Sequence, residues 1–161
     1  KRNIRNWGGV LNAINKGFIG NQNTPFFVVN GDIFWVQREK ISIFEKMYQH
    51  WDMECMDILI VLNKKKKLCG YDGDGDFNLL KSKSFFGLIN RDGLKKNYVF
   101  TGIQLVNPKI FNNINKKVFS FNELFDLLIK KNRLFGLVDK NDWFHLGTVE
   151  HLRNVEKILE K

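Results

Sequence analysis

Short apolar runs alternate along this chain with segments in which apolar residues recur at helical spacing. That alternation is typical of α/β domains, because buried strands are continuous apolar runs and the helices that cover them are amphipathic. The apolar runs predict strands at residues 26–30, 57–62, 98–106, 134–138 and 143–146. Helical spacing predicts helices over residues 43–51, 122–131 and 149–161, with Leu152, Val155 and Leu159 on the buried side of the last. We therefore expect a three-layer α/β fold with a mostly parallel central sheet.

The length of 161 residues predicts one domain, spanning residues 1–161. The longest apolar run, residues 58–62, is far shorter than the roughly 20 residues that cross a bilayer, so no membrane partner is expected. Two cysteines, Cys55 and Cys69, are too few for a disulfide framework. They favour a reducing compartment, and we expect a cytoplasmic protein.

The net charge of +9, from 26 basic and 17 acidic residues, would suit a nucleic-acid partner. The only dense basic run is residues 64–67, which lies directly after a predicted strand and has no interleaved aromatic residues. A solvated turn accounts for such a run better than a surface for phosphates. This pattern argues against a nucleic-acid-binding module, which stays open as an alternative that the net charge alone favours.

The acidic sequence DGDGD at residues 72–76 begins like a calcium-binding EF-hand loop. Such a loop needs Gly at its sixth position and Glu at its twelfth, where this chain has Phe77 and Lys83. The pattern therefore argues against a calcium loop. Asp72 and Asp74 also match the short DxD pattern of metal-dependent glycosyltransferases, which carries little information by itself.

Two further residues are candidates for a site. Asp32 follows a strongly apolar predicted strand, and carboxylates at the carboxyl ends of strands in open α/β sheets face the ligand crevice. The same residues, Asn-Gly-Asp, also make an ordinary turn. His145 lies among apolar residues before the last helix, where a packed or capping histidine is the commoner outcome. No serine-nucleophile elbow, cysteine–histidine cluster or P-loop occurs in the sequence.

Five segments carry a more specific signal through their order and spacing. They are WGGV at residues 7–10 with Ala13, FFVVNGD at 26–32, GDF at 75–77, FTGI at 100–103 with Pro108 and Phe111, and WFHLGTVE at 143–150. Together they resemble the sugar-phosphate nucleotidyltransferases, within them the N-acetylmuramate-1-phosphate uridylyltransferase and mannose-1-phosphate guanylyltransferase-like group. The resemblance extends over nearly the whole chain.

The resemblance implies a Rossmann-like nucleotidyltransferase fold that lacks its opening βα unit. It also implies that a nucleoside triphosphate, UTP or GTP, reacts with a sugar 1-phosphate to give a nucleotide sugar and pyrophosphate, with Mg²⁺ as cofactor. The implied site residues are Asp32 as catalytic magnesium ligand, His145 as a second metal ligand, Gly8, Gly9 and Asn30 for the nucleotide, and Asp76 and Gly102 for the sugar phosphate.

The chain departs from the family pattern in two places. The family's opening glycine-rich loop, which wraps the triphosphate, does not occur in these residues. In the closing segment, His145 stands where the family has a metal-binding Asp, and a neutral imidazole suits magnesium poorly. We therefore expect little turnover from the 161 residues alone. A catalytically inactive or regulatory relative that binds sugar phosphate remains an alternative.

Overall fold

The computed structural model describes residues 6–19, 23–64, 68–69, 71, 73–81, 85–113 and 120–160. Its helices are α1 (Asn6–Asn15), α2 (Ile43–His50), α3 (Phe121–Lys130) and α4 (Val149–Leu159), with a 3₁₀ helix at Pro108–Asn113. Its strands are β1 (Phe26–Val29), β2 (Ile33–Val36), β3 (Ile58–Lys64), β4 (Leu68–Cys69), β5 (Asn78–Leu79), β6 (Phe86–Asn90), β7 (Tyr98–Val106), β8 (Leu134–Val138) and β9 (Asp142–His145).

The central sheet has six strands in the order β1-β7-β3-β8-β6-β5. It is mixed rather than mostly parallel, because β3–β8 is its one parallel pairing among the described strands. The long strand β7 runs antiparallel between β1 and β3, and β6 runs antiparallel beside β8. As a result β1, β3 and β8 point the same way, and their carboxyl ends meet at one edge of the sheet.

Helices cover both faces of this sheet, which confirms the expected three layers. Alternate residues of β3 point to opposite faces. Ile58, Ile60 and Leu62 pack in one core with apolar residues of α3. Leu59 and Val61 pack in a second core with Ile43 and Met47 of α2. The domain is therefore held by two apolar cores, one on each side of the central sheet.

A second, three-stranded sheet, in the order β2-β9-β4, contains the two segments that follow β1 and β8. Strand β2 pairs antiparallel with β9, which places Ile33 opposite His145 and Trp35 opposite Trp143. The two indole rings stack, with centroids 5.0 Å apart and planes 25° apart. This small sheet brings residues more than one hundred positions apart in the chain into direct contact.

Capping side chains set the helix starts. The hydroxyl oxygen of Ser42 accepts a hydrogen bond from the Glu45 amide at the start of α2. Helix α3 begins with a complete capping box of Ser120 and Glu123. In α4 only part of the predicted buried side is covered: Val155 is buried, whereas Leu152 and Leu159 are about half exposed.

Candidate active site

A cavity of about 190 Å³, here called cavity 1, opens where the small sheet meets the central sheet. Four residues that the sequence singled out line it together: Asn30, Asp76, Gly102 and His145. The remaining lining residues are Ile33, Tyr71, Val99, Phe100, Thr101, Trp143 and Phe144. The fold thus gathers residues from four separate segments at one edge of the sheet.

Asp32 and His145 form a polar pair beside cavity 1. The Asp32 Oδ2 and His145 Nδ1 atoms are 4.0 Å apart, and the two side chains are 51% and 42% exposed. Strand pairing sets this distance, because His145 lies opposite Ile33 and the Leu146 amide donates to the Asp32 carbonyl at 2.8 Å. The pair therefore stands on the backbone of the small sheet and stays open to a ligand.

The absence of a side chain at Gly147 leaves room for the His145 ring. A Cβ atom at Gly147 would lie 2.5 Å from the His145 Nε2 atom, which no side chain could tolerate without moving the ring. Thr148 then caps α4 by accepting a hydrogen bond from the His151 amide. The turn between β9 and α4 is thus built around the imidazole.

Asp76 is anchored to β7 at the wall of cavity 1. Its amide donates to the Tyr98 carbonyl at 2.8 Å, and its Oδ2 atom accepts from the Phe100 amide at 2.9 Å. Its other carboxylate oxygen accepts no hydrogen bond from the residues that the structure describes. The side chain therefore has a fixed place and a free acceptor.

Gly102 and Asn30 are in close contact on neighbouring strands. The Asn30 amide donates to the Gly102 carbonyl at 2.9 Å, and a Cβ at Gly102 would lie 2.9 Å from the Asn30 Cβ. Gly102 also has φ +92°, in the region that favours glycine. The Asn30 side chain occupies the space where a side chain at residue 102 would lie. Gly102 is therefore needed for Asn30 to pack against β7.

Tyr71 is a lining residue of cavity 1 that the sequence analysis did not identify. Its phenol oxygen accepts a hydrogen bond from the Gly75 amide at 3.1 Å. Burial, and after it the neighbouring Asp76 carboxylate, raises the pKa of Tyr71. The phenol is therefore protonated at neutral pH and can donate a hydrogen bond. The acidic, glycine-rich sequence around Tyr71 was the only signal for it.

Gly8 and Gly9, which the resemblance assigns to the nucleotide, lie in helix α1. Both lie in the first turns of α1 and are exposed, and neither lines cavity 1. The chain is already helical at Asn6, so these glycines occupy helix positions. Their role toward a nucleotide stays a prediction. Asp72, the first residue of the acidic motif, lies outside the described residues, as do residues 65–67 of the basic run.

Asp139, at the end of β8, is a second carboxylate that the sequence analysis missed. It is buried and accepts hydrogen bonds from the Asn141 amide at 3.1 Å and from the Trp143 indole Nε1–H at 2.7 Å. The Lys46 Nζ atom lies 3.8 Å away and also contacts Glu39. This network fixes the connection from β8 to β9, and hence the strand that carries His145.

Comparisons with known proteins agree with this geometry. Over 142 residues the chain is 27% identical to an N-acetylmuramate alpha-1-phosphate uridylyltransferase of Caulobacter vibrioides, covering 87% of this chain. It superposes on an apo UDP-glucose pyrophosphorylase with a TM-score of 0.72 over 99% of this chain, at 14% identity. It superposes on HddC from Yersinia pseudotuberculosis, complexed with GMP-PN, with a TM-score of 0.65 over 98%, at 20% identity.

The chain has the fold of the sugar-phosphate nucleotidyltransferases. The resemblance noted in the sequence is thus confirmed, although no protein-family profile matches the chain. The chain spans 55% of the uridylyltransferase and 61% and 64% of the two solved chains. It therefore corresponds to part of the length of each protein that it matches.

Beside cavity 1, Asp32 is a carboxylate of the kind that binds hard divalent cations. Magnesium in phosphate-binding sites is held by one or two carboxylates, with waters and substrate phosphates completing its shell. Asp32 supplies one half-exposed carboxylate. No cluster of three or more potential metal ligands exists in the described part of the chain. His145 adds a nitrogen, which suits softer ions better than magnesium.

None of the helices in the described ranges has the length and apolar character that a bilayer crossing needs.

Proposed function

We propose that the protein joins a nucleoside triphosphate, UTP or GTP, to a sugar 1-phosphate and releases pyrophosphate. The observation that carries the proposal is the convergence of Asn30, Asp76 and Gly102 on one cavity beside the Asp32–His145 pair. The fold and the sequence similarity to a uridylyltransferase support it. HddC was solved in complex with GMP-PN. This supports a guanine nucleotide as a candidate substrate in addition to a uracil nucleotide.

In the proposed reaction, an oxygen of the sugar phosphate attacks the α-phosphorus of the triphosphate. A bond forms between them while the bond from the α-phosphorus to the bridging oxygen breaks, and pyrophosphate leaves. Such a transfer depends on positioning and on neutralising charge rather than on a protein nucleophile. The site is consistent with that requirement, because neither serine nor cysteine lines cavity 1 among the described residues.

Each side chain has a role that its contacts allow. The anchored Asp76 would accept hydroxyl hydrogens of the sugar, and the protonated Tyr71 beside it would donate to a sugar or phosphate oxygen. Asn30, held against Gly102, would orient the nucleotide. Asp32, with His145, would hold Mg²⁺, which when bound draws charge from phosphate oxygens. We further propose a cytoplasmic location and a place in making nucleotide sugars, including those for cell walls.

The first test is isothermal titration of glucose 1-phosphate, N-acetylglucosamine 1-phosphate and mannose 1-phosphate into the chain, with and without MgCl₂. We expect at least one sugar phosphate to bind more tightly with magnesium, and Asp32→Asn to remove that dependence. The control is Asp92→Asn, which changes an exposed carboxylate in the loop after β6. Equal binding by Asp32→Asn and the unchanged chain would contradict the proposal.

The second test is pyrophosphate release from UTP or GTP, measured on the longest form of the protein that carries these residues. Release should require a sugar 1-phosphate and should fall at least about 100-fold in Asp32→Asn, the scale on which preorganised charge stabilisation acts. Release that needs no sugar phosphate would show a triphosphatase instead. The Asp92→Asn variant should release pyrophosphate at the unchanged rate.

A further inference from the structure

Asp32 and His145 present one oxygen and one nitrogen to the same space beside cavity 1. The Asp32 Oδ2 and His145 Nδ1 atoms are 4.0 Å apart. Two ligands of one metal ion, each about 2.1 Å from it, lie no more than about 4.2 Å apart. The observed separation is within that limit, so a single ion can contact both atoms where the fold places them.

The His145 ring turns its Nδ1 atom, and not its Nε2 atom, toward Asp32. The Nε2 atom lies against the turn after β9, because a Cβ at Gly147 would be only 2.5 Å from it. The backbones of the two residues are fixed by the pairing of Ile33 with His145 and by the hydrogen bond from the Leu146 amide to the Asp32 carbonyl. The small sheet therefore holds the nitrogen beside the carboxylate before any ion binds.

No second carboxylate joins this pair in the part of the chain that the structure describes, where no group of three or more potential metal ligands occurs. Asp76 lines cavity 1, but its Oδ2 atom accepts a backbone hydrogen bond from β7. Asp139 is buried among its own hydrogen-bond donors. The donor set of the protein is therefore mixed, with the oxygen of Asp32 and the nitrogen of His145. Waters and phosphate oxygens would complete the shell of an ion.

A mixed donor set distinguishes between divalent ions. Magnesium is a hard ion that prefers oxygen ligands, so an imidazole adds little to its binding. Imidazole binds first-row transition ions well, and Mn²⁺ among them also accepts carboxylate and phosphate oxygens. On the basis of the function proposed above, we propose that His145 is a specificity-determining residue, which makes the site select a divalent transition ion such as Mn²⁺ over Mg²⁺.

The first test compares the two ions in the binding of UTP. Isothermal titration of the chain without an affinity tag gives the dissociation constant of UTP in saturating MnCl₂ and in saturating MgCl₂. We expect binding at least about tenfold tighter with Mn²⁺, the scale on which groups around a metal change its affinity. His145→Asp should bring the two constants to within about threefold of each other, because a second carboxylate improves binding of the Mg²⁺ complex.

The second test detects the nitrogen ligand without any turnover. Because Mn²⁺ is paramagnetic, electron spin-echo spectra of the complex of protein, Mn²⁺ and UTP show a ¹⁴N coupling when a nitrogen binds the ion. Labelling only the histidines with ¹⁵N should replace that coupling, which distinguishes imidazole from uracil nitrogen. The coupling should disappear in His145→Asp and, as a second variant that adds no charge, in His145→Asn. It should persist in His151→Asn, the matched control, whose ring centroid lies 6.1 Å from that of His145.

The failure of this proposal and the failure of the proposed function give different results. Equal UTP affinities with the two ions, or the absence of a histidine nitrogen coupling, would overturn the selection of a transition ion and leave the proposed function standing. A coupling that is lost in His151→Asn and retained in His145→Asn would also overturn the proposal, because another histidine would then hold the ion. UTP binding that depends on neither ion would overturn this proposal and the proposed function together.

Discussion

Two carboxylates at the same edge of the central sheet have opposite surroundings. Asp32 follows β1, is half exposed, and has the His145 Nδ1 atom 4.0 Å away. Asp139 follows β8, is buried, and has three hydrogen-bond donors as well as Lys46 near it. Both positions fit the rule that ligands bind at the carboxyl ends of strands. The difference shows that one carboxylate holds the site together while the other is available to a ligand.

The largest expected effect is on stability, from removing the buried carboxylate. Asp139→Ala should lower the free energy of unfolding by about 3–5 kcal/mol, because it leaves buried donors and the Lys46 ammonium without their acceptor. Urea denaturation measures the change. Asp32→Ala, the matched variant at the exposed carboxylate, should change stability by no more than about 0.5 kcal/mol. Equal losses in the two variants would remove the distinction between the two residues.

A milder substitution keeps the Asp139 carboxylate and removes one of its hydrogen-bond donors. Trp143→Phe deletes the indole N–H that donates to Asp139 at 2.7 Å. It should cost about 1–3 kcal/mol, since the carboxylate then lacks one buried partner. Trp35→Phe is its control, because the described residues show no hydrogen bond from the Trp35 indole. If Trp35→Phe lowers the free energy of unfolding as much as Trp143→Phe does, the effect comes from ring packing and not from the hydrogen bond.

The exposed carboxylate of Asp32 should affect metal-dependent nucleotide binding rather than stability. Asp32→Asn should remove the divalent-ion-dependent part of nucleotide binding while the melting temperature stays within about 2 °C. Titration of UTP and GTP with and without MgCl₂, followed by calorimetric melting, measures both quantities. Magnesium-dependent binding retained by this variant would mean that another residue holds the ion.

His145 should have an effect of intermediate size. His145→Asp places a second oxygen ligand near Asp32 and should tighten magnesium binding several-fold in the presence of nucleotide. Because both side chains are about half exposed, their repulsion without magnesium should cost less than about 1 kcal/mol. His145→Asn, which removes the imidazole without adding charge, is the control. A large fall in melting temperature with unchanged magnesium affinity would give His145 a structural role only.

The smallest effect should be seen at alkaline pH. Burial and the Asp76 carboxylate raise the pKa of Tyr71 above its ordinary value near 10. The neutral phenol is thus favoured in the folded state, so its contribution to stability is complete below about pH 10 and is lost as the pH rises through the folded pKa. Between those values the unchanged protein should lose more stability than Tyr71→Phe. Parallel losses in the two proteins would contradict this interpretation.

Much of the fold could be predicted from the apolar runs. Strands β7 and β8 have the bounds that the sequence predicts, and α2, α3 and α4 start or end within about two residues of theirs. Strand direction was not predictable in the same way. The sequence around β7 gives no local sign that it runs antiparallel between β1 and β3, because its direction is set by pairing with residues 34 to 80 positions away.

The site was predictable only in part. The motifs at residues 26–32, 75–77, 100–103 and 143–150 gave most of its residues, and the fold brings them together at cavity 1. Strand β2 was missed because it has only four residues and follows a turn directly. The role of Asp139 was missed because its burial depends on the return of the chain through β9, which no local pattern specifies.

The stacked indoles of Trp35 and Trp143 have an optical consequence. Two aromatic chromophores held in contact share their excitation, and their coupled transitions give a pair of circular-dichroism bands of opposite sign. Trp35 follows Asp32 in β2 and Trp143 precedes His145 in β9, so the coupled bands report whether those two strands are side by side. A ligand that separates the strands should reduce the bands without any added label. The molecule thus carries its own spectroscopic probe, two positions along the strand pairing from His145.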